Sequence, residues 1–267
     1  VNWSSMRPIQ VLFISHSLHM EGAPTSLFEL VQGLVKTKLV TATVLAPADG
    51  SLRTEYENIG VPVLLWAPSD SARLTRKGYS KAQMDLAGKI RETAADLVFV
   101  NTLAGFPAIN AAHAVGVPSI WNIRESEPWH VYYSYLSQTV LQEALCAFGR
   151  ASQFVFVAEA TRSVWASMTQ GRDHVIHNVL DRQRLAKMES GARPRDEVRR
   201  QLGVEQKEKL ILCLGTICNR KGQADLIQAF ARIPKIFSNQ VHIVLKGSMA
   251  TAYEPEIKRA VAELEAD

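Results

Sequence analysis

Arg220 and Lys221 stand side by side in the stretch Gly215-Thr216-Ile217-Cys218-Asn219-Arg220-Lys221-Gly222. An apolar run, Leu210-Ile211-Leu212-Cys213-Leu214, precedes them, and an apolar-periodic segment begins near Ala224. A buried strand that ends in glycine, a short cationic loop and a helix start together make a place to hold phosphate. Glycine lets the backbone come close, a helix N-terminus offers free N–H groups, and the two cations add full charge. The expected ligand is anionic, a nucleotide diphosphate, held by the loop residues Gly215, Thr216, Arg220 and Lys221. The plain alternative is two solvated surface cations. The strand–glycine–loop–helix context favours the binding reading.

A second group of candidates lies nearer the N-terminus. His16, His19 and Gly22 follow the apolar run at 9–15, and Pro24 suits the first turn of a helix, where a missing N–H costs nothing. Gly22 is expected to admit a phosphate or sugar to the backbone. His16 and His19 lack a third ligand at fitting spacing, so no metal is expected and one of them is left to orient an acceptor hydroxyl. Arg124 and Glu125 follow another strand, close to Glu127 and Trp129. They read equally as solvated charges before a helix or as an acceptor-facing pair, Glu125 bonding sugar hydroxyls or serving as a weak base. Asn101, at a further strand end, could bond a sugar hydroxyl. Trp129, Tyr132, Tyr133 and Tyr135 favour packing over a sugar platform, and Glu159 reads as a helix-start acid that complements the macrodipole.

The elements that must position these residues are legible as alternation. Apolar runs at 9–15, 40–45, 61–65, 97–100, 119–121 and 154–157 read as strands. Helical patterns fall at 24–34, 52–59, 81–95, 106–114, 131–148 and 160–168. In the first helix Leu27, Leu30, Val31 and Leu34 follow the i, i+3, i+4, i+7 rule. Such alternation implies an α/β fold with a mostly parallel sheet covered on both faces. Ligands in such sheets sit at the strands' carboxyl ends, after Ser15, Asn101 and Asn122. Residues 1–180 therefore read as one Rossmann-like domain and 181–208, polar and charged, as a linker with one helix near 196–202. Over 209–267 the pattern restarts with two strand–helix pairs. That is about 60 residues, below the ~100–150 typical of a domain, so the second Rossmann-like domain reads as incomplete.

Bulk properties narrow the function classes. Of 267 residues, 47% are hydrophobic and 21% charged, as in an ordinary soluble globular protein. A net charge of +4 with scattered basic residues argues against nucleic acid as a partner, while a basic face remains compatible with peripheral association at an anionic membrane. Three cysteines, Cys146, Cys213 and Cys218, form no CxxC pair and no even framework, which points to a reducing, cytoplasmic setting. No stretch approaches the ~20 apolar residues of a membrane helix, and no signal peptide is recognisable. The opening segment, 1–7, reads as the remnant of a longer natural start. The first loop lacks G-x-G-x-x-G, which argues against a NAD-dependent dehydrogenase.

Four blocks carry a family resemblance. Ser15 to Leu27, with its Gly22-Ala23-Pro24, resembles the glycine-rich first loop and helix of the family 4 retaining glycosyltransferases, which have the GT-B fold of two Rossmann-like domains. Ile176-His177-Asn178-Val179-Leu180-Asp181 is similar to that family's P-N-G-[IV]-D turn, Leu214 to Gly222 to its G-x(4)-R-K-G-Q diphosphate loop, and Gly247-Ser248 to the glycine pair after the next strand. The blocks occur in the right order over almost the whole chain. The departures are Glu21 for a glycine, Arg124-Glu125 where many relatives carry histidine and an acid, and Thr216 for an arginine. The family's paired glutamates, which hold donor ribose and sugar in relatives, have no counterpart before Asp267, so this polypeptide is expected to be C-terminally truncated and inactive as it stands.

The resemblance implies a transferase of polysaccharide biosynthesis that moves a sugar from a UDP- or GDP-sugar to a glycan or lipid-linked acceptor with retention. It implies no bound cofactor or metal, an acceptor-side first domain and a donor-binding second domain in which Gly247 also meets the diphosphate. The setting it implies is cytoplasmic, at the inner face of the membrane. The competing readings are a nucleotide-sugar epimerase or hydrolase on the same fold and a non-catalytic binding or scaffold module.

Overall fold

The structure is a computed structural model that describes residues 7–179, 182–234, 240–249 and 251–266. The opening residues 1–6 and the pair Leu180-Asp181 of the turn motif lie outside the described residues. The chain divides into two compact units, Val1–Asp181 and Arg182–Asp267.

The first unit runs β1 (Ile9–Ile14), α1 (Gly22–Lys36), β2 (Val40–Ala46), α2 (Leu52–Asn58), β3 (Val63–Leu65), α3 (Ser71–Leu74), α4 (Arg76–Glu92), β4 (Leu97–Asn101), α5 (Phe106–Ala114), β5 (Ser119–Ile123), α6 (Trp129–Tyr132), α7 (Gln138–Arg150), β6 (Gln153–Phe156), α8 (Glu159–Thr169) and β7 (Asp173–Val175). The strands form one parallel sheet in the order β3-β2-β1-β4-β5-β6-β7. Strands β1 to β6 are mostly apolar because helices cover both faces, whereas β7, Asp173-His174-Val175, is not. Along β1, Leu12 and Ile14 join the core with Val98, Val100, Trp121 and Phe156, while Val11 and Phe13 join the core with Val44 and the α1 residues Leu27, Phe28 and Val31. The chain reverses its winding between β1 and β4. That is the switch point at which ligands bind in open α/β sheets.

Three helices differ from the sequence reading. The stripe on α1 is rotated by Phe28: Leu30 is 38% exposed, while Leu27, Phe28 and Val31 are buried. The single helix expected over 131–148 is two, α6 and α7. Ser137 breaks it by capping α7, its Oγ accepting from the Val140 N–H. Helix α4 begins at Arg76, where the Thr75 hydroxyl oxygen accepts from the Gly78 N–H.

The second unit contains α9 (Arg182–Ser190), α10 (Arg195–Gln201), β8 (Lys209–Leu214), α11 (Gln223–Ala231), β9 (Val241–Lys246) and α12 (Glu254–Ala266). The expected linker thus holds a second helix, α9. It is built of good helix formers with no apolar period, so pattern reading passes over it. Strands β8 and β9 pair in parallel, and Ile217, Ala224, Ile227, Tyr253, Ile257 and Ala260 form the core.

Candidate active site

Polar side chains gather at the carboxyl ends of β1, β4 and β5 in the first unit. Asn101, fully buried, donates from Nδ2 to the Ala23 carbonyl (3.0 Å) and accepts at Oδ1 from Asn122 Nδ2 (3.0 Å). Its amide therefore ties the start of α1 to β4 and β5. Asn101, the residue expected to bond a sugar hydroxyl, has no exposed surface here, and its amide braces the site from beneath.

The next residue, Thr102, is bent to φ 75°, ψ 160°, a conformation that strains a β-branched side chain. Its N–H donates to the Asn122 carbonyl (2.8 Å), and its carbonyl accepts from Trp121 Nε1 (2.9 Å) and the Gly105 N–H (3.2 Å). Nothing in the local sequence announces this bend. The bend turns the Leu103 N–H toward Glu125, whose Oε2 accepts from it and from the Arg124 N–H (3.1 Å each). Tyr133 and Trp165 complete the brace, Tyr133 OH donating to the Leu103 carbonyl (3.0 Å) and Trp165 Nε1 to the Glu125 carbonyl (2.8 Å). Glu125 thus holds the loop after β4 to the loop after β5. Burial raises its carboxyl above the ordinary value, against the lowering by those two N–H groups and by Arg124.

Arg124 faces the other way. Its Nη2 donates to Asn178 Oδ1 (2.9 Å), which also accepts from Ser26 Oγ (3.2 Å), so the strand-end cation, the first helix and the turn after β7 meet. Nothing in the sequence order announces that Asn178 and Ser26 would converge on Arg124. His16 stands near enough to feel Glu21 and Arg124, and burial pulls its imidazole below the ordinary value. Its Nδ1 is buried and without a hydrogen-bond partner among the described residues. His19 is exposed, and Gly22 opens α1 with open space where a Cβ would stand. Among the described residues no group of three or more His, Cys, Asp and Glu is placed to hold a metal.

The second unit carries the cationic loop. Gly215 takes φ +130° and Gly222 the left-handed φ +67°, conformations that favour glycine. The loop after β8 is stitched to the loop after β9 by Gly215 N–H to the Lys246 carbonyl (2.9 Å) and Ile217 N–H to the Ser248 carbonyl (2.8 Å). A Cβ on Gly247 would lie 1.9 Å from the Gly215 carbonyl oxygen, so Gly247 is glycine because two backbones cross there. From below, Gln223 straps the loop: fully buried, it donates from Nε2 to the Thr216 carbonyl (3.1 Å) and accepts at Oε1 from the Cys218 N–H (3.3 Å). None of these restraints uses Arg220 or Lys221. Both cations occupy an exposed 3-10 turn, Asn219–Lys221, with no ion pair or side-chain hydrogen bond among the described residues, and Thr216 is exposed beside them.

No family model matches the chain, and no curated protein matches it by sequence. Solved structures do. Anabaena HepE in complex with UDP and glucose superposes with a TM-score of 0.70 at 20% identity, covering 97% of this chain and 67% of that one. The α,α-trehalose 6-phosphate synthase of Burkholderia multivorans gives 0.65 at 14% identity, covering 97% and 68%. UDP-GlcNAc 2-epimerase from Neisseria meningitidis bound to UDP-GlcNAc gives 0.59 at 13% identity, covering 97% and 70%. The fold is Rossmann-like α/β of the GT-B kind. This chain spans about two thirds of the length of those structures.

Proposed function

We propose that the chain is part of a retaining family 4 glycosyltransferase that transfers a sugar from a nucleotide diphosphate donor, UDP in the first instance, to a glycan or lipid-linked acceptor. The observation that carries this reading is the loop from Gly215 to Gly222. Two crossing backbones and the buried Gln223 fix it, while Arg220 and Lys221 are left exposed and unpaired among the described residues. Similar structures in complex with UDP, UDP-glucose or UDP-GlcNAc support the choice of ligand.

The second unit takes the donor side, with Gly215, Thr216, Arg220 and Lys221 on the diphosphate. Lys221 acts as a point charge and Arg220 as a fork, and both stabilise the charge that grows on the leaving nucleotide diphosphate. The first unit takes the acceptor side, with His16, His19, Gly22 and Arg124 around the acceptor and Asn101 and Glu125 beneath them. Retention follows if the acceptor attacks from the face that the nucleotide leaves, and it needs no enzyme nucleophile. The three free cysteines and the anionic nucleotide sugar suit a cytoplasmic setting at the inner face of the membrane. No helix among the described residues is long and apolar enough to cross a membrane.

Calorimetric titration of UDP and GDP tests the reading. Lys221→Ala should weaken UDP binding by about 1.5–3 kcal/mol, the range for a hydrogen bond to a charged group. Equal binding by wild type and variant would remove Lys221 from the site. The similar UDP-GlcNAc 2-epimerase favours a second reading, in which a UDP-sugar is consumed with no acceptor present. Turnover of UDP-GlcNAc by the protein alone would decide for it.

A further inference from the structure

A cavity of about 150 Å³ opens in the first unit beside the candidate site. Segments far apart in sequence wall it: the ends of β1 and β2, Trp66 after β3, helices α3 and α4, and Phe106, Tyr135 and Leu136. Its polar wall atoms are largely satisfied within the protein. Trp66 Nε1 donates to Asp85, Gln83 Nε2 to the Pro107 carbonyl (3.0 Å) and Ser15 Oγ to the Ser17 carbonyl (2.6 Å), while the Arg73 guanidinium lies over the Tyr135 ring at 5.9 Å. His16 differs. It lines the same cavity, yet its Nδ1 is buried with no partner among the described residues, and buried polar groups are ordinarily paired. The imidazole lies within electrostatic reach of Arg124, so it stands between the apolar space and the polar cluster at the strand ends.

We propose that this cavity receives the acceptor's apolar portion, a group the size of one aromatic ring or a short isoprenoid segment, and that His16 hydrogen-bonds the hydroxyl that such a group carries. The acceptor role rests on the glycosyltransferase reading; the ligand class rests on the cavity. A space of this volume lined by apolar side chains admits about one benzene-sized ring. It is too small for a helix of a partner protein, whose diameter with side chains is about 10–12 Å. A bare sugar would set hydroxyls against Phe106, Leu136 and Leu45 with no partners for them.

The test titrates the intact chain with phenol, the five-carbon alcohol prenol and methyl α-glucoside by NMR, alongside UDP. One or both apolar alcohols should bind, with intermolecular NOEs to Phe106 and Leu136, and methyl α-glucoside should not occupy this cavity. Ala82→Trp, which fills the space from α4, should weaken that binding by about tenfold or more and leave UDP binding unchanged. His16→Phe should erase the preference for phenol over benzene. The NOEs are read on the wild type, so a variant that fails to fold leaves the test intact. Methyl α-glucoside in the cavity, no NOE from either alcohol, or undiminished binding by folded Ala82→Trp would overturn the inference. UDP binding without alcohol binding sinks this inference and spares the nucleotide-sugar reading. Alcohol binding without UDP binding sinks that reading and the acceptor role with it.

Discussion

Glu125 shows how one half-buried carboxylate fastens two loops and leaves a mark on stability. In the folded state its carboxyl titrates above its ordinary 4.5, burial being the main cause. The unfolded chain gives up that proton near 4.5 and the folded chain only at higher pH, so the folded state binds more protons in between. Stability is therefore lost as pH rises from the unfolded value through the folded one, and the loss is complete above both. Glutamine keeps an oxygen for the Leu103 and Arg124 N–H groups and does not ionise. Relative to wild type, Glu125→Gln should gain in melting temperature as pH rises from about 4 to about 7. A gap that stays flat or narrows would mean that the carboxyl titrates normally. Glu125→Ala, which strands the Leu103 and Arg124 N–H groups, should cost about 1–3 kcal/mol near pH 4 and less as pH rises. Sequence alone offers Glu125 and Asn101 as polar residues at strand ends. It does not show that Leu103, Ala23 and Asn122 already engage them, since those partners are fixed only by the sheet register.

At the scale of elements, the strands are the most legible part of the chain. In the first unit β1 to β6 are mostly apolar because helices cover both sheet faces, and such runs need no tertiary information to be seen; β7, Asp173-His174-Val175, has no such run and escapes pattern reading. What stays hidden depends on geometry between elements. The break between α6 and α7 lies in an aromatic-rich stretch that reads as continuous helix, and the cavity wall is assembled from many separate segments. Two glycines that look alike in sequence separate here. Gly22 has open space about its Cα, whereas Gly247 lies against the Gly215 carbonyl. Gly22→Ala should change stability by no more than about 0.5 kcal/mol, and Gly247→Ala should cost about 1–3 kcal/mol through forced backbone movement. Urea unfolding of both variants checks this. If Gly247→Ala proved as harmless as Gly22→Ala, the crossing of β8 and β9 loops would not be what fixes the cationic turn.

Across the molecule, the two units differ in how they are stabilised. In the first, β1 and β4 lie inside a sheet of seven strands, with Leu12, Val98 and Val100 fully buried. In the second, the sheet has two strands, and Leu212 and Leu214 on β8 remain 47% and 66% exposed. Burial of apolar area is the main favourable term in folding, so the local opening free energy should be lower in the second unit. Hydrogen exchange on the intact chain should find the amides of β8 and β9 exchanging at least about tenfold faster than those of β1 and β4. Saturating UDP should slow exchange in β8, β9 and the turn between Gly215 and Gly222, because a ligand that binds only the folded form stabilises it by mass action. Equal protection in the two sheets would contradict the difference drawn from burial. Protection that rises in β8 and β9 for wild type but not for Lys221→Ala would tie the stability of that unit to the diphosphate contact itself.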